Sequence, residues 1–341
     1  MTDYLFDGSG TPDPDVARLE QMLGRLRTTA PVQKVRLQPG ATEIHDAHTI
    51  SVYAGVRFLG PAMAAAAAIA LMVGLTWRTT TPAASWDVAV IVGTPRIGSS
   101  PLIGGGRIAV GQTLTTDEGS RARMDVSDIG QVTIDEGTRL RLVETREGHH
   151  RLALERGTLH ASITAPPGQF VVSTPSATAT DLGCIYSLHV NDDGSGLLNV
   201  EVGWVAFEER GRESFVPAGA SSRTDRVNGP GTPRFDDADE PFRRELELVD
   251  EGAGMKVYGD GLRYVLAHAR TRDAMTLWHL IARVAPADRA SVVDALAARV
   301  PMPVTVTREA VLRLDRAALD QWWDALGLDE ATWWRKWKRP V

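Results

Sequence analysis

Apolar residues first cluster in one uninterrupted run. No charged residue occurs between Phe58 and Trp77, and a helix of this length would extend about 30 Å, the thickness of the hydrocarbon core of a bilayer. Arg57 and Arg78 bracket the run. A buried helix of a soluble domain is the alternative, but such helices usually keep a polar face, and Thr76 is the only polar side chain here. The pattern therefore predicts a transmembrane helix at residues 58–77.

The segment before this run, residues 1–57, shows one helical pattern. Asp13 is suited to cap a helix and Pro14 to open it. The apolar side chains that follow at helical spacing are Val16, Leu19, Met22, Leu23 and Leu26. A lone amphipathic helix of this length is marginal in water and needs a surface to pack against. Its own flanking residues or a second copy could provide that surface, and so could the groove of a partner protein.

After a linker at residues 78–86, apolar and polar residues alternate in short runs rich in Val, Ile and Thr. Glycine-containing turn signals separate the runs, a spacing typical of an all-β sandwich, barrel or roll. We therefore predict a β-domain at residues 87–220. The predicted strands are Val88–Val92, Ala122–Val126, Gln131–Ile134, Arg139–Val143, Gln169–Ser173, Ile185–Val190, Leu197–Val202 and Trp204–Glu208.

A short motif recurs within this region. The sequence DEGSR at residues 117–121 returns as DEGTR at residues 135–139, and ERGTL at residues 155–159 is a weaker third copy. Each copy predicts a turn in which glycine supplies a positive φ, followed by a hydroxyl residue that opens a strand. The spacing indicates a repetitive element, and the fold class predicted for this region is a β-roll or sandwich; three copies do not establish a solenoid.

The remaining chain divides into a polar connector at residues 221–254 and a helical C-terminal module at residues 255–341. The residues suited to begin successive helices in that module are Thr271, Pro286, Thr307, Asp315 and Asp329. The last predicted helix combines Trp333, Trp334 and Trp337 with basic residues. That helix could lie on an anionic surface, or its indoles could pack into the bundle, which we favour.

Composition excludes several classes of site. The 341 residues carry a net charge of −6, which gives no chain-wide attraction for nucleic acid, and one cysteine, which rules out an intramolecular disulfide or a cysteine zinc cluster. No nucleotide-binding or hydrolase motif occurs, so we predict neither an enzyme nor any catalytic, cofactor or metal site. Cys184 is predicted to be buried and inert, His149 and His150 to lie in a solvated turn, and residues 192–194 to form a hairpin turn.

The middle of the chain resembles a known family. The stretches that carry the resemblance are GQVTIDEGTRLRLVE at 130–144, RLALERGTLHASI at 151–163, FVVSTPSATATDLGCIYSLHV at 170–190, GLLNVEVGWVAFEERG at 196–211 and VPAGA at 216–220. In this order they resemble the FecR-like domain of bacterial envelope signalling proteins, over about Val88 to Ala220. The chain has Gly183-Cys184 where that family commonly has Gly-Thr.

The resemblance implies a function and an orientation. It implies an inner-membrane, single-pass regulator with a cytoplasmic N-terminus, a periplasmic β-domain that senses an envelope signal, and an extracytoplasmic-function sigma factor as the partner of the N-terminal segment. An unknown periplasmic or outer-membrane protein would be the second partner. The helical residues 261–341 differ from the α/β module that ends the best-known members, so no siderophore role is implied. The alternative is a structural or polysaccharide- or protein-binding envelope protein with no transcriptional role.

Overall fold

A computed structural model describes residues 84–252 and 258–328. The predicted transmembrane helix at residues 58–77, the predicted N-terminal helix and the predicted last helix lie outside these residues. Among the helices of the described ranges, none is long and apolar enough to cross a membrane. The domain boundaries predicted before residue 84 therefore stay predictions.

The described chain begins with a large β-structure, as predicted. Most predicted strands are present with bounds within a few residues, and Ile185–Val190 is reproduced without change. The strands are β1 Ser85–Val92, β2 Arg96–Ile97, β3 Ser100–Pro101, β4 Gly105–Ala109, β5 Thr113–Thr115, β6 Arg121–Val126, β7 Gly130–Ile134, β8 Arg139–Arg146, β9 His149–Ile163, β10 Phe170–Ser173, β11 Thr178–Asp181, β12 Ile185–Val190, β13 Gly196–Val202, β14 Trp204–Glu209, β15 Arg212–Pro217, β16 Ala220–Asp225, β17 Gly229–Pro230 and β18 Arg234–Phe235.

The strands form two hydrogen-bonded layers. Sheet A runs in the order β4, β1, β6, β7, β9, β12, β13, β16, with β17 and β18 both paired to β16. Sheet B runs in the order β3, β2, β5, β8, β9, β10, β11, β14, β15. Among these pairs only β9 with β10 is parallel. The buried residues of the alternating strands meet in one apolar core between the layers.

Strand β9 belongs to both layers because it turns a corner at Gly157. Its first part, up to Arg156, pairs with β8 in sheet B, and its second part, from Gly157, pairs with β12 in sheet A. Gly157 has a φ of +88°, and a Cβ added there would lie 2.4 Å from the Cα of Thr138. Only glycine fits such a position without strain. The third motif copy is therefore a corner inside a strand and not the turn that was predicted.

The first two copies of the motif are turns, as predicted. Gly119 and Gly137 have φ values of +71° and +69°. Threonine hydroxyls in and next to the motif copies link one copy to the next by accepting hydrogen bonds from backbone N–H groups. The N–H of Thr138 donates to Thr116 Oγ1 over 3.0 Å, and the N–H of Thr158 donates to Thr138 Oγ1 over 2.9 Å. These hydroxyls give the amides of Thr138 and Thr158 hydrogen-bond acceptors.

The predicted connector at residues 221–254 is wrong in the described residues. Strands β16 to β18 occupy residues 220–235, and helix α1 spans Glu240–Glu251 with Asp239 as its N-cap. Phe242, Leu246 and Val249 form the buried side of α1. Their helical spacing is present in the sequence, but the surrounding charges made the stretch look uniformly polar.

The helical module follows, as predicted, in a compact group of short helices. Thr307 and Asp315 cap helices in the predicted way, each accepting a backbone N–H three residues on. Thr271 instead opens a 3-10 turn, and the helix predicted from Pro286 begins later because Asp288 N–H first closes a turn onto Ala285. The helices are α2 Tyr258–His268, α3 Ala274–Ile281, α4 Arg289–Ala297, α5 Arg308–Leu312 and α6 Arg316–Asp324.

The corner of β9 makes a direct prediction about stability. Gly157→Ala should lower the free energy of unfolding by at least about 2 kcal/mol, because the new Cβ meets both a strained φ and the Thr138 backbone. Gly137→Ala is the matched control, since Gly137 also has a positive φ but open space around its Cα. Denaturant unfolding of the full chain measures both. Equal losses in the two variants would show that the close approach to Thr138 contributes nothing.

Candidate functional site

The helical module is attached to the outer edge of sheet B. Strand β15 is paired along one side with β14, so the backbone groups on its other side need partners. His279 in α3 accepts the N–H of Phe215 at its Nε2 over 3.1 Å, and its Nδ1 lies 2.8 Å from the carbonyl of Met275. Because an N–H can only donate and a carbonyl can only accept, the ring is neutral with its proton on Nδ1.

Arg283, just beyond the end of α3, contacts the same edge of β15. Its guanidinium donates to the carbonyl of Glu213 over 2.8 Å and to Ser214 Oγ over 2.7 Å. It also donates to Thr232 Oγ1 over 3.0 Å and lies 4.0 Å from Asp250 of α1. Burial lowers the pKa of Arg283 to about 9, an effect that Asp250 partly offsets. We call the contacts of His279 and Arg283 with β15 the β15 junction.

An aromatic group packs beside the β15 junction. Trp323 of α6 lies with its ring centroid 6.2 Å from that of Trp204, 5.7 Å from that of Phe215 and 4.9 Å from that of Trp278. Trp323 and Met275 are helical residues, yet both belong to the apolar core of the β-domain. Edge-to-face pairs of this kind add to the stabilisation that burial alone provides. Met275 and Trp323 therefore anchor the helical module in the core of the β-domain, while the helices also pack around a second core of their own.

A second buried polar group lies inside the β-domain, after β11. The carboxylate of Asp181 accepts the N–H of Gly183 over 2.6 Å and the thiol of Cys184 over 2.7 Å. Burial raises the pKa of Asp181 to about 7, although these hydrogen bonds act in the opposite direction. Burial also raises the pKa of Cys184, so its thiol keeps its proton. The chain thus places a carboxyl group that titrates near neutral pH at the position where it departs from the family pattern.

The other predicted residues have mixed outcomes. Cys184 is buried, as predicted. Residues 192–194 form the predicted hairpin turn, in which Asn191 N–H donates to the Ser195 carbonyl. The prediction for His150 is wrong, because its side chain is buried in β9 and hydrogen-bonded to Thr145. Successive side chains of a strand point to opposite faces, so His150 points into the core while His149 faces solvent.

No predicted binding residue can be placed, and the junction residues were not predicted. The partner-binding prediction at Val16, Leu19, Met22, Leu23 and Leu26 lies outside the described residues. Within residues 84–252 and 258–328, no group of three or more potential metal ligands is close enough to hold an ion. His279 and Arg283 are four residues apart, a spacing that predicts one face of a helix, although α3 itself ends at Ile281. That spacing was the available signal for the β15 junction.

Residues 112–206 match the model of the FecR protein family. The chain contains a FecR domain. Within the described structure that domain runs from β5 into β14. Strand β15 and the whole helical module lie beyond the matched residues, so the β15 junction joins the FecR domain to a part of the chain that the family model does not include.

Solved structures give a weaker likeness. Two crystal structures of a proposed anti-sigma factor from Parabacteroides distasonis each match with 18% sequence identity and a TM-score of 0.33. The match covers 37% of this chain and 60% of theirs, so this chain accounts for less than two thirds of those proteins. At this TM-score the likeness supports no functional inference. No curated protein matched the chain.

Asp181 makes the stability of the FecR domain depend on pH. Its folded-state pKa of about 7 lies above the ordinary value of 3.8, so the folded chain keeps a proton that the unfolded chain has already lost. The free energy of unfolding should therefore fall as pH rises between those two values, by about 4 kcal/mol. Asp181→Asn, which mimics the protonated form, should remove that part of the pH dependence.

Denaturant unfolding at a series of pH values measures this effect. Asp192→Asn is the control, because Asp192 is an exposed carboxylate on the neighbouring β12–β13 hairpin, and it should keep the wild-type profile. An Asp181→Asn profile parallel to that of the wild type would contradict the prediction.

Proposed function

We propose that the chain is a single-pass inner-membrane regulator that controls an extracytoplasmic-function sigma factor. The observation that carries the proposal is the FecR domain at residues 112–206, since this domain is typical of envelope signalling regulators. The order of the chain supports it: a predicted amphipathic helix, a predicted span at residues 58–77, and then the FecR domain. The proposed role is regulatory and involves no chemical reaction.

The proposed mechanism is a change in partner affinity. The FecR domain would lie in the periplasm, where a ligand or protein binding unequally to two of its states would shift their populations. Trp323 of the helical module packs in the core of this domain, so a change of state in the domain would reach the module through that contact. The N-terminus would lie in the cytoplasm, where the helix predicted from Val16 to Leu26 would bind the sigma factor by its apolar face.

The apolar face of that helix is the part to test. Leu19→Asp with Leu23→Asp places two charges on it and should abolish capture of the sigma factor by the full chain, because a desolvated carboxylate in an apolar groove costs several kcal/mol. Ala17→Asp with Gln21→Asp is the matched control. It adds two aspartates at the same spacing on the opposite face of the predicted helix and should leave capture unchanged.

The assay uses the full-length chain in detergent and purified extracytoplasmic-function sigma factors of the same organism. Unchanged capture by the Leu19, Leu23 variant would contradict the proposed binding helix. Deletion of the gene with no change in transcription from promoters of those sigma factors would favour the alternative, an envelope protein without a transcriptional role.

A further inference from the structure

A large cavity opens at the end of the sandwich where β1 begins. It has a volume of about 1040 Å³, and its lining includes Trp86, Asp87, Arg107, Asp128, Arg146 and His150. We call it the Trp86 cavity. Ligand sites in proteins are commonly 300–1,000 Å³ and combine apolar walls with a few placed polar groups. The Trp86 cavity has that size, and none of its polar groups takes part in the β15 junction.

Two consecutive hydrogen bonds connect the two sheets at the inner wall of the cavity. Trp86 of sheet A donates its indole N–H to Thr145 Oγ1 of sheet B over 2.9 Å, and Thr145 Oγ1 lies 2.9 Å from Nδ1 of His150. The Thr145 hydroxyl has one proton and two acceptor lone pairs, so besides accepting from the indole it can either donate to Nδ1 or accept from it. Nε2 of His150 is accordingly a donor in one tautomer and an acceptor in the other.

Nε2 of His150 has no hydrogen-bond partner among the described residues, since the bond of this side chain to Thr145 is made through Nδ1. His150 is only 6% exposed, and the residue lines the cavity. Burial lowers the pKa of His150, and Asp128 acts in the opposite direction, so the ring stays neutral. A neutral imidazole nitrogen can pair with a ligand hydroxyl in either tautomer, because a hydroxyl both donates and accepts.

Charges of both signs line the same cavity. Asp87 and Arg107 form an ion pair at 3.3 Å, Arg146 pairs with Glu144 at 2.6 Å, and Asp128 adds a further carboxylate. A ligand with a full charge of either sign would meet like charges in this lining, which is unfavourable. Hydroxyl groups both donate and accept, so a ligand rich in hydroxyls can satisfy carboxylates, guanidiniums and the imidazole nitrogen together.

We propose that the Trp86 cavity binds a neutral saccharide, with a sugar hydroxyl hydrogen-bonded to Nε2 of His150. The bound sugar would bridge β1 of sheet A and β8 of sheet B at the point where the described chain begins. This inference is independent of the sigma factor proposal, because saccharide binding can be measured without any partner protein.

Calorimetric titration of the full chain with chitobiose, cellobiose and maltose, each up to about 10 mM, tests the proposal. The chain must be held in a detergent without a sugar headgroup. We expect at least one disaccharide to bind, and His150→Phe and Arg146→Gln each to weaken its binding by about tenfold or more. Arg146→Gln changes an exposed side chain, so it remains informative if His150→Phe does not fold.

His160→Phe and Arg141→Gln are the matched controls. They lie on the same two strands as His150 and Arg146 but outside the cavity lining, and they should leave binding unchanged. The proposal is overturned if none of the three disaccharides binds, or if the cavity variants and the controls bind equally. It is also overturned if spermidine binds in the cavity and the sugars do not, since the ligand class would then be cationic.

Discussion

The outer edge of β15 is the constraint on which the arrangement of the described chain depends. A strand at the edge of a sheet presents backbone N–H and C=O groups that must be paired, covered or left to water. Here they are paired by side chains, because His279 accepts from the Phe215 N–H and Arg283 donates to the Glu213 carbonyl. Each bond fixes α3 against the strand at a specific register.

Further packing follows from that position. With α3 held against β15, Met275 and Trp323 enter the core of the FecR domain. The burial of Arg283 would be costly alone, but its guanidinium bonds to β15 and Thr232 and lies near Asp250. The end of the FecR domain, the strands after it and the helical module are consequently one structural unit.

Much of the fold could be predicted from local sequence patterns. Alternation of apolar and polar residues predicts strands such as β12, and side-chain caps such as Thr307 predict helix starts, because both depend on residues close together in sequence. The sequence analysis missed helix α1 because the many charged residues between its helically spaced apolar residues made the segment look like a polar connector. The corner at Gly157 was predicted as a turn because a glycine with a positive φ occurs both in turns and at corners within a strand.

The polar contacts of the site could not be predicted in the same way. His279 meets a residue 64 positions away, and Arg283 meets one 69 positions away, so their partners are set by the packing of sheet B and not by any local pattern. The Asp181–Cys184 pair is local, but only burial gives its carboxyl group an unusual pKa, and burial is a property of the folded core.

Hydrogen exchange at the amide of Phe215 tests most directly whether the helical module covers the edge of β15. We expect this edge amide in the full chain to be as protected as the inner amides of sheet B. His279→Leu, which removes the acceptor, should lower its protection by about tenfold or more and leave the amides of β7 in sheet A unchanged. Rapid exchange at Phe215 in the wild-type chain, or protection unchanged in His279→Leu, would contradict the β15 junction.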